Sequence, residues 1–584
     1  MIADDPLHTA GRAALPHVAS RDLDPPISRT TAGSSLKVFL AVALLGLVFA
    51  AYTQHAWEDY WIAYRSSRNL ATGHGLVYTP GERLHTFTSP LGTLLPAGLC
   101  WLTGNHSDDL VLWLFRIVSI AALAAAVVAV LRILVVLQRH HVATLFTVAL
   151  VALDAKTVDF SINGMETGLL LLFLALTLHG LLVTGPRQAL RIGIGWTGMM
   201  WTRPDSIAYI GALGLSTLVF PATDPGARTR RAWSRTFLQA GVVCAVLYLP
   251  WVLWAWWYYG SPVPHTVVAK ATSMPPLLPS TLIRNVLRFP VLLLVPKSSL
   301  DTSLPWTFLP PYAWGGGWHD TVHAGARIVG LAAAFAWLVP VLRRQTRMLS
   351  LAFYLGQFFL TNVVRAYFPW YLPASAVLGY LTVGMMFDQA LSLASRLPQL
   401  GWDRRWFRHL PGVLRMCAAV LVAGQVAVTA CVARQMRVQQ ALIEDGHRRR
   451  IGLWLREHAR SPHDSVFLEP LGYVGYFSGL KMLDWLGLSS TEVVEAKRRV
   501  GPGREGQIYL ELRPDWLVLR PGEARPGGIV DPSRLAELYE QVQVFDVGDA
   551  VRAVRWLPGR PYLWFDQTFI VWRRKANGAP SSAR

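Results

Sequence analysis

Long apolar runs separated by short polar segments fill the first three quarters of the chain, and the last quarter lacks the pattern. Runs approaching 20 residues suit helices that cross a hydrocarbon core about 30 Å thick. On this reading the chain has about 11 transmembrane helices, at 37–54, 110–137, 142–154, 167–184, 190–202, 206–220, 237–258, 322–342, 349–364, 371–388 and 412–432. Several are short for such a core, so some are expected to be broken or shielded by protein, because unpaired backbone groups are costly in lipid. An apolar stretch at 89–103 has the length of a juxtamembrane or re-entrant helix. The first run, Val38–Tyr52, has no small-residue cleavage site after it and reads as a retained signal anchor. Residues 1–36 before it are polar, contain Pro25-Pro26, and read as a cytoplasmic tail.

Charge sets the orientation. If the N-terminus is inside and 89–103 does not cross, the inner loops carry Arg139, Arg187, Arg228, Arg231, Arg343 and Arg404 among others, while the longer outer loops carry fewer cations per residue. Counting 89–103 as a span would invert every later loop against the positive-inside rule. The expectation is therefore an inner (plasma) membrane protein, multi-pass, with a juxtamembrane first outer loop at 55–109 in a transmembrane domain at 37–432. From residue 433 onward short apolar runs such as Trp516–Leu519 and Phe569–Trp572 stand among polar and Gly/Pro-rich segments. Residues 433–584 are expected to form an extracytoplasmic soluble α/β domain, with Asn577–Arg584 frayed.

Composition agrees. Over 584 residues, 52% are hydrophobic and only 16% charged, against roughly 25% charged in soluble domains. The net charge of +19 would ordinarily suggest nucleic acid. Here the excess is Arg in short inter-span segments, and no nucleic-acid partner is expected. The four cysteines have neither zinc nor redox spacing.

On this topology the reactive side chains gather at the outer ends of the spans. Glu58 and Asp59 follow the first span. Asp154, Asp159 and Glu166 bracket the loop after the third. Arg203 and Asp205 lie between the fifth and sixth, His265 and Lys270 follow the seventh, and Arg365 and Tyr367 follow the ninth. Charges at a membrane boundary are costly unless they face a cavity or one another, so five loops converging on one face predict a single external site. Adjacent carboxylates repel, which raises at least one pKa and suits a general base or a divalent-cation ligand. An N-cap with a first-turn acid explains the same pair structurally.

The stretch from Glu58-Asp59 through Arg65, Arg68-Asn69-Leu70, Gly73-His74-Gly75 and Gly81-Glu82-Arg83 to Leu91 resembles the first outer loop of the GT-C membrane glycosyltransferases, on the branch around the mycobacterial terminal arabinofuranosyltransferase. Further matches follow in order: Asn163–Thr167; Thr202–Asp205; Tyr258-Tyr259-Gly260 with Pro264-His265-Thr266 and Ala269-Lys270; Phe368–Tyr371; and Gly472–Phe477 with Asp484. The resemblance implies a GT-C fold: a polytopic α-helical membrane protein with a C-terminal soluble α/β domain. It also implies transfer of a sugar from a polyprenyl-phosphate donor, outside the membrane, with inversion at the anomeric carbon. Glu58 stands where the family usually has Asp, so the base is Glu58, Asp59 or the two together. His265 stands where the branch often has Asn.

Such chemistry needs a base for the acceptor hydroxyl, in-line positioning, and cations for the departing phosphate. Glu58 and Asp59 fill the first role. Arg65, Arg203, Lys270 and Arg365 are the phosphate candidates, each against snorkelling to headgroups. Arg116 and Asp154 are weaker candidates against structural pairing. Glu166, His265 and Tyr367 complete the expected substrate site. Glu58, Asp59 and Glu166 would be the ligands if Mg or Mn takes part. Trp251, Trp254 and Trp256 through Tyr259 read as an interfacial aromatic belt, with sugar stacking as the sharper alternative. The expected activity is a glycosyltransferase using a polyprenyl-phosphate sugar, such as arabinofuranose, with a glycan, lipid or protein as acceptor. The competing readings are a lipid-linked-sugar flippase and a protein O-glycosyltransferase with a hexose donor.

Overall fold

The computed structural model describes residues 32–183, 185–221, 229–272, 274, 276–294, 304–365, 368–397 and 405–575. Each stretch expected to be a span is occupied by helix. In order these are α1 (Ala32–Thr53), α4 (Asp108–Leu137), α5 (His141–Ala152), α7 (Thr167–Leu182), α8 (Gln188–Thr202), α9 (Ile207–Val219), α10 (Arg230–Tyr259), α14 (Asp320–Phe335), α15 (Arg344–Phe359), α16 (Pro373–Arg396) and α17 (Arg405–Gln439). Between them lie α2 (Glu58–Ala71), α3 (Pro90–Leu102), α6 (Ala155–Ile162), α11 (His265–Thr272), α12 (Pro279–Leu294) and the single turn α13 (Leu304–Thr307). Six helices are long and apolar enough to cross a membrane, and α6 with α7 makes a seventh as a pair bent by 120°. The other expected spans, α5, α8, α9 and α15, run only 12 to 16 residues. Leu238, Trp257, Leu287 and Met416 are among the large apolar side chains left exposed on α10, α12 and α17, as a lipid-facing surface requires.

Local chemistry sets the breaks. Ser107 accepts the Leu110 N–H at the start of α4, with Asp108 and Asp109 in its first turn, the arrangement that satisfies and neutralises a helix N-terminus. Asp154 does the same for α6 through the Thr157 N–H at 2.8 Å. At the bend after α6, Gly164 has φ +92°, and a Cβ there would lie 2.5 Å from the Tyr60 ring. Pro340 pushes Val339 into extended backbone, which stops α14 and its final turn short of the expected residue 342. On the side expected to be cytoplasmic, buried Asp388 accepts the Arg139 and His140 N–H groups and pairs with Arg343 at 3.0 Å.

After α17 the helix continues through wide π turns at Gln440–Arg449 into α18 (Arg450–His458). Five strands follow: β1 (Ser465–Leu468), β2 (Lys481–Asp484), β3 (Trp516–Leu519), β4 (Tyr539–Asp546) and β5 (Thr568–Arg574). They form one mixed sheet in the order β2-β1-β3-β5-β4, parallel on the β2-β1-β3 side and antiparallel beyond it. Val466, Leu468, Trp516, Val518, Phe569 and Val571 fill one face of the sheet and Phe467, Leu483, Leu517 and Leu519 the other, following the period-two alternation of strand side chains. The helices α19 (Gly472–Ser478) and α20 (Thr491–Val500) lie between the early strands.

The sheet domain is seated on α2. Tyr473 donates to the Ala56 carbonyl at 2.9 Å, and Arg65 donates to the carbonyls of Gly475, Gly479 and Leu480 at 2.8–3.0 Å. Gly475 lies in α19 and Gly479 and Leu480 follow it, so a buried guanidinium gathers the chain at the C-terminal end of that helix.

Candidate active site

The amphipathic α2 begins with the two carboxylates in its first turn and sends them in different directions. Glu58 faces the sheet domain. It accepts the Gly472 N–H at 3.0 Å and pairs with Arg448 at 2.8 Å. Arg448 is buried and also holds Glu444 and Asp566. Three carboxylates thus share one guanidinium. Burial lifts the Glu58 carboxyl to about 8 against the pull of Arg448, with Glu444 and Glu469 adding to the rise. Asp566 is gripped from the other side by Arg520, and the two cations hold its carboxyl below the ordinary range against its burial.

Asp59 opens on a cavity of about 100 Å³ instead. Glu166, Arg203 and Lys270 line the same cavity, with Thr86, Thr88, Ser89, Thr266, Trp370 and Tyr371. Four of the expected site residues, from four separate stretches of chain, therefore meet here. Burial raises the Asp59 carboxyl above its ordinary value, and Lys270 and Arg203 pull against that rise.

Each wall has a local cause. Arg203 follows α8 in extended backbone ahead of Pro204. It is tied to Glu166 at 3.1 Å and Asp205 at 3.2 Å and lies 4.2 Å over the Tyr371 ring. Glu166 precedes α7 at the chain bend without a side-chain capping bond, close against Gly92, where a Cβ would lie 3.3 Å from its Oε2. Lys270 and Thr266 are carried by α11, which starts one residue after Pro264. His265 at its first position fixes this helix on both sides. Its N–H donates to the His85 carbonyl at 2.8 Å, and its ring Nε2 donates to the Gly487 carbonyl at 2.9 Å.

The other expected residues lie elsewhere. Glu58 is in the Arg448 cluster, and Arg65 is in the α2–α19 joint, 4.3 Å over the Tyr78 ring. Arg365 sits in left-handed backbone after α15 and does not line the cavity. Tyr367 lies outside the described residues. Arg116 donates to the carbonyls of Ile162, Gln54 and His55, and Asp154 caps α6 and accepts from Tyr380. The expected cation ligands do not form a set: Asp59 and Glu166 share the cavity while Glu58 is turned away. Among the described residues no three His, Cys, Asp or Glu side chains come together to hold a metal ion.

The aromatic belt also has a definite place. Tyr259 donates to the Leu76 carbonyl at 2.6 Å and stacks on His85 at 4.6 Å. Phe87 packs in the same cluster with Trp251, so the belt holds the Thr86–Ser89 segment against the cavity. Two groups escaped the sequence reading: Leu488, a cavity wall supplied by the sheet domain, and the Arg448–Asp566–Arg520 chain. Arg448 stands among three consecutive arginines on a helix, a pattern that reads as a solvated face.

Residues 434–566 match a family described as a domain of unknown function (DUF8728). The chain is 28% identical over 267 residues to a terminal β-(1→2)-arabinofuranosyltransferase of Corynebacterium glutamicum, covering 41% of this chain and 37% of that protein. It is 29% identical over 258 residues to the terminal β-(1→2)-arabinofuranosyltransferase of Mycobacterium tuberculosis, covering 40% and 38%. The crystal structure of the apo oligosaccharyltransferase of Archaeoglobus fulgidus aligns with a TM-score of 0.49 at 13% identity, covering 84% of this chain and 70% of that one. The chain spans less than two-fifths of the length of the curated relatives it matches, and over that stretch it is similar to the terminal arabinofuranosyltransferases.

Proposed function

We propose that the protein is an inverting membrane glycosyltransferase that moves a sugar, with arabinofuranose the first candidate, from a polyprenyl-phosphate donor to an extracytoplasmic acceptor. The observation that carries this reading is the cavity in which the Asp59 carboxylate meets Lys270 and the Glu166–Arg203 pair. A base and a cation on one narrow opening are the two groups that this displacement needs.

Asp59 takes the proton of the acceptor hydroxyl as its oxygen bonds to the anomeric carbon. The bond from that carbon to the phosphate oxygen breaks on the opposite face, and its electron pair leaves with the polyprenyl phosphate. The raised carboxyl of Asp59 suits the task, because a base works best with a pKa near the operating pH. Arg203 is already committed to Glu166 and Asp205, so Lys270 is assigned to the developing phosphate charge and Arg203 to shaping the site. His265 is a positioning residue that fixes the helix carrying Lys270. In this reading the eleven helices cross the inner membrane, with the short ones shielded by their neighbours, the N-terminus is cytoplasmic, and the sheet domain lies outside.

The test is transfer in vitro from a synthetic polyprenyl-phosphate arabinofuranose, comparing the parent with Asp59→Asn. Turnover by the parent that the variant loses while still binding donor is the expected result. Donor binding without transfer to glycan, lipid or peptide acceptors would overturn the reading. A reporter fused after residue 584 is expected to read extracytoplasmic, and a cytoplasmic signal would overturn the topology.

A further inference from the structure

A second opening, of about 640 Å³, lies wholly within the sheet domain and away from Asp59. Its volume is that of an ordinary small-molecule site. Trp485, Trp564 and Phe565 line it together with Glu505, Arg525 and Gln567. Trp564 is 46% exposed and Phe565 56%. Two adjacent large aromatics left open to solvent beside a cavity mark a contact surface rather than a packing remnant.

The platform is built rather than loose. Asp566, the next residue, is buried and clamped by Arg448 and Arg520, and Arg520 lies 4.4 Å over the Phe565 ring. Lys497 covers the Trp485 ring at 4.5 Å. Trp485 and Gln567 on the wall each carry a buried polar atom without a hydrogen-bond partner, Nε1 and Oε1. The charges on the wall balance: Glu505 and Glu523 stand against Arg520 and Arg525, and Arg520 is already paired with Glu469, Glu523 and Asp566. A cavity of this size with an exposed aromatic pair and balanced charge matches a neutral polyhydroxylated chain. It lacks the surplus cation that a phosphate would need.

The position relates it to the first site. Trp485 lines this opening and Leu488 lines the Asp59 cavity. Three residues span at most about 11 Å. The loop between them is fixed, since Asp484 accepts from the Leu488 and Ser489 N–H groups and from Ser489 Oγ at 2.7–2.8 Å, and His265 holds the Gly487 carbonyl.

We propose that this opening is an oligosaccharide subsite of the outer domain, holding the inner residues of a glycan acceptor whose end reaches Asp59. The assignment rests on the transferase reading for what the glycan is used for, and it commits the acceptor to a glycan rather than a lipid or a protein.

The test is direct binding, which needs no turnover. The full chain in nanodiscs is titrated with three probes, an α-arabinofuranosyl, a gluco- and a manno-pentasaccharide, by saturation-transfer NMR. At least one is expected to bind saturably, Trp564→Ala to weaken it tenfold or more, and Trp564→Phe to stay within threefold of the parent. Absence of saturable binding by all three, or equal binding by Trp564→Ala, would overturn the subsite. Binding that depends on Trp564 in a protein that transfers no sugar would refute the transferase reading and leave the subsite standing. Transfer to a short acceptor without pentasaccharide binding would do the reverse.

Discussion

Exchanging each member of the Glu58-Asp59 pair for its amide separates two roles that adjacency in sequence merges. Asp59→Asn removes the group assigned as base. Loss of a positioned base costs about 10²–10⁴ in rate, or about 3–5 kcal/mol on the barrier. Its effect on folding should be neutral or favourable, because the carboxyl is raised by burial and its ionised form is the strained one. Glu58→Gln removes one of three carboxylates on Arg448 and retains an oxygen for the Gly472 N–H. Glu444 and Asp566 keep the guanidinium paired, and Gln reproduces the neutral carboxyl that burial favours up to about pH 8, so Tm in detergent should change little at about pH 7. Its kcat should fall less than tenfold. The assay pairs single-turnover transfer from polyprenyl-phosphate sugar with thermal unfolding of the same preparations. A Glu58→Gln variant that is folded and as inactive as Asp59→Asn would refute the division of labour and return the base to the pair.

Lys270→Met should lower kcat by two orders of magnitude or more while Lys270→Arg keeps part of it, measured in the same transfer assay; a Met variant within threefold of the parent would remove Lys270 from the phosphate. Glu58 is raised from 4.5 to about 8 in the folded protein, which therefore binds more protons than the unfolded chain between those values. Stability should accordingly fall as pH rises from about 4.5 to about 8, and Glu58→Gln should flatten that slope in a Tm-against-pH series. Gly472→Ala would drive a Cβ into the Glu58 carbonyl and Cγ. A backbone obstacle of that kind costs about 1–3 kcal/mol and should lower Tm and activity together, whereas alanine at Gly479, which has open space, is penalised only for its left-handed backbone.

The apolar runs by themselves determined where the membrane-type helices lie, because a long, mainly apolar stretch has no other way than a helix to satisfy its backbone hydrogen bonds in lipid. The change in composition near residue 433 likewise announced the sheet domain, through short apolar runs among turn residues. Residue chemistry at the helix ends was enough to nominate Asp59, Glu166, Arg203 and Lys270, since a charge beside an apolar run needs a reason to be there. What stayed hidden was direction. Glu58 and Asp59 are equivalent in a list, but consecutive residues on a helix point about 100° apart, so one meets Arg448 and the other the cavity. Arg65 and Arg203 are both arginines near helix ends, yet only the packing of α19 on α2 commits the first to carbonyl oxygens. Arg448, Asp566 and Leu488 reach the region from some 390 to 510 residues further along the chain than Glu58 and Asp59 (448 − 58 = 390; 566 − 58 = 508). Contacts of that separation are set by how the sheet domain seats on α2, and no local pattern of residues records them.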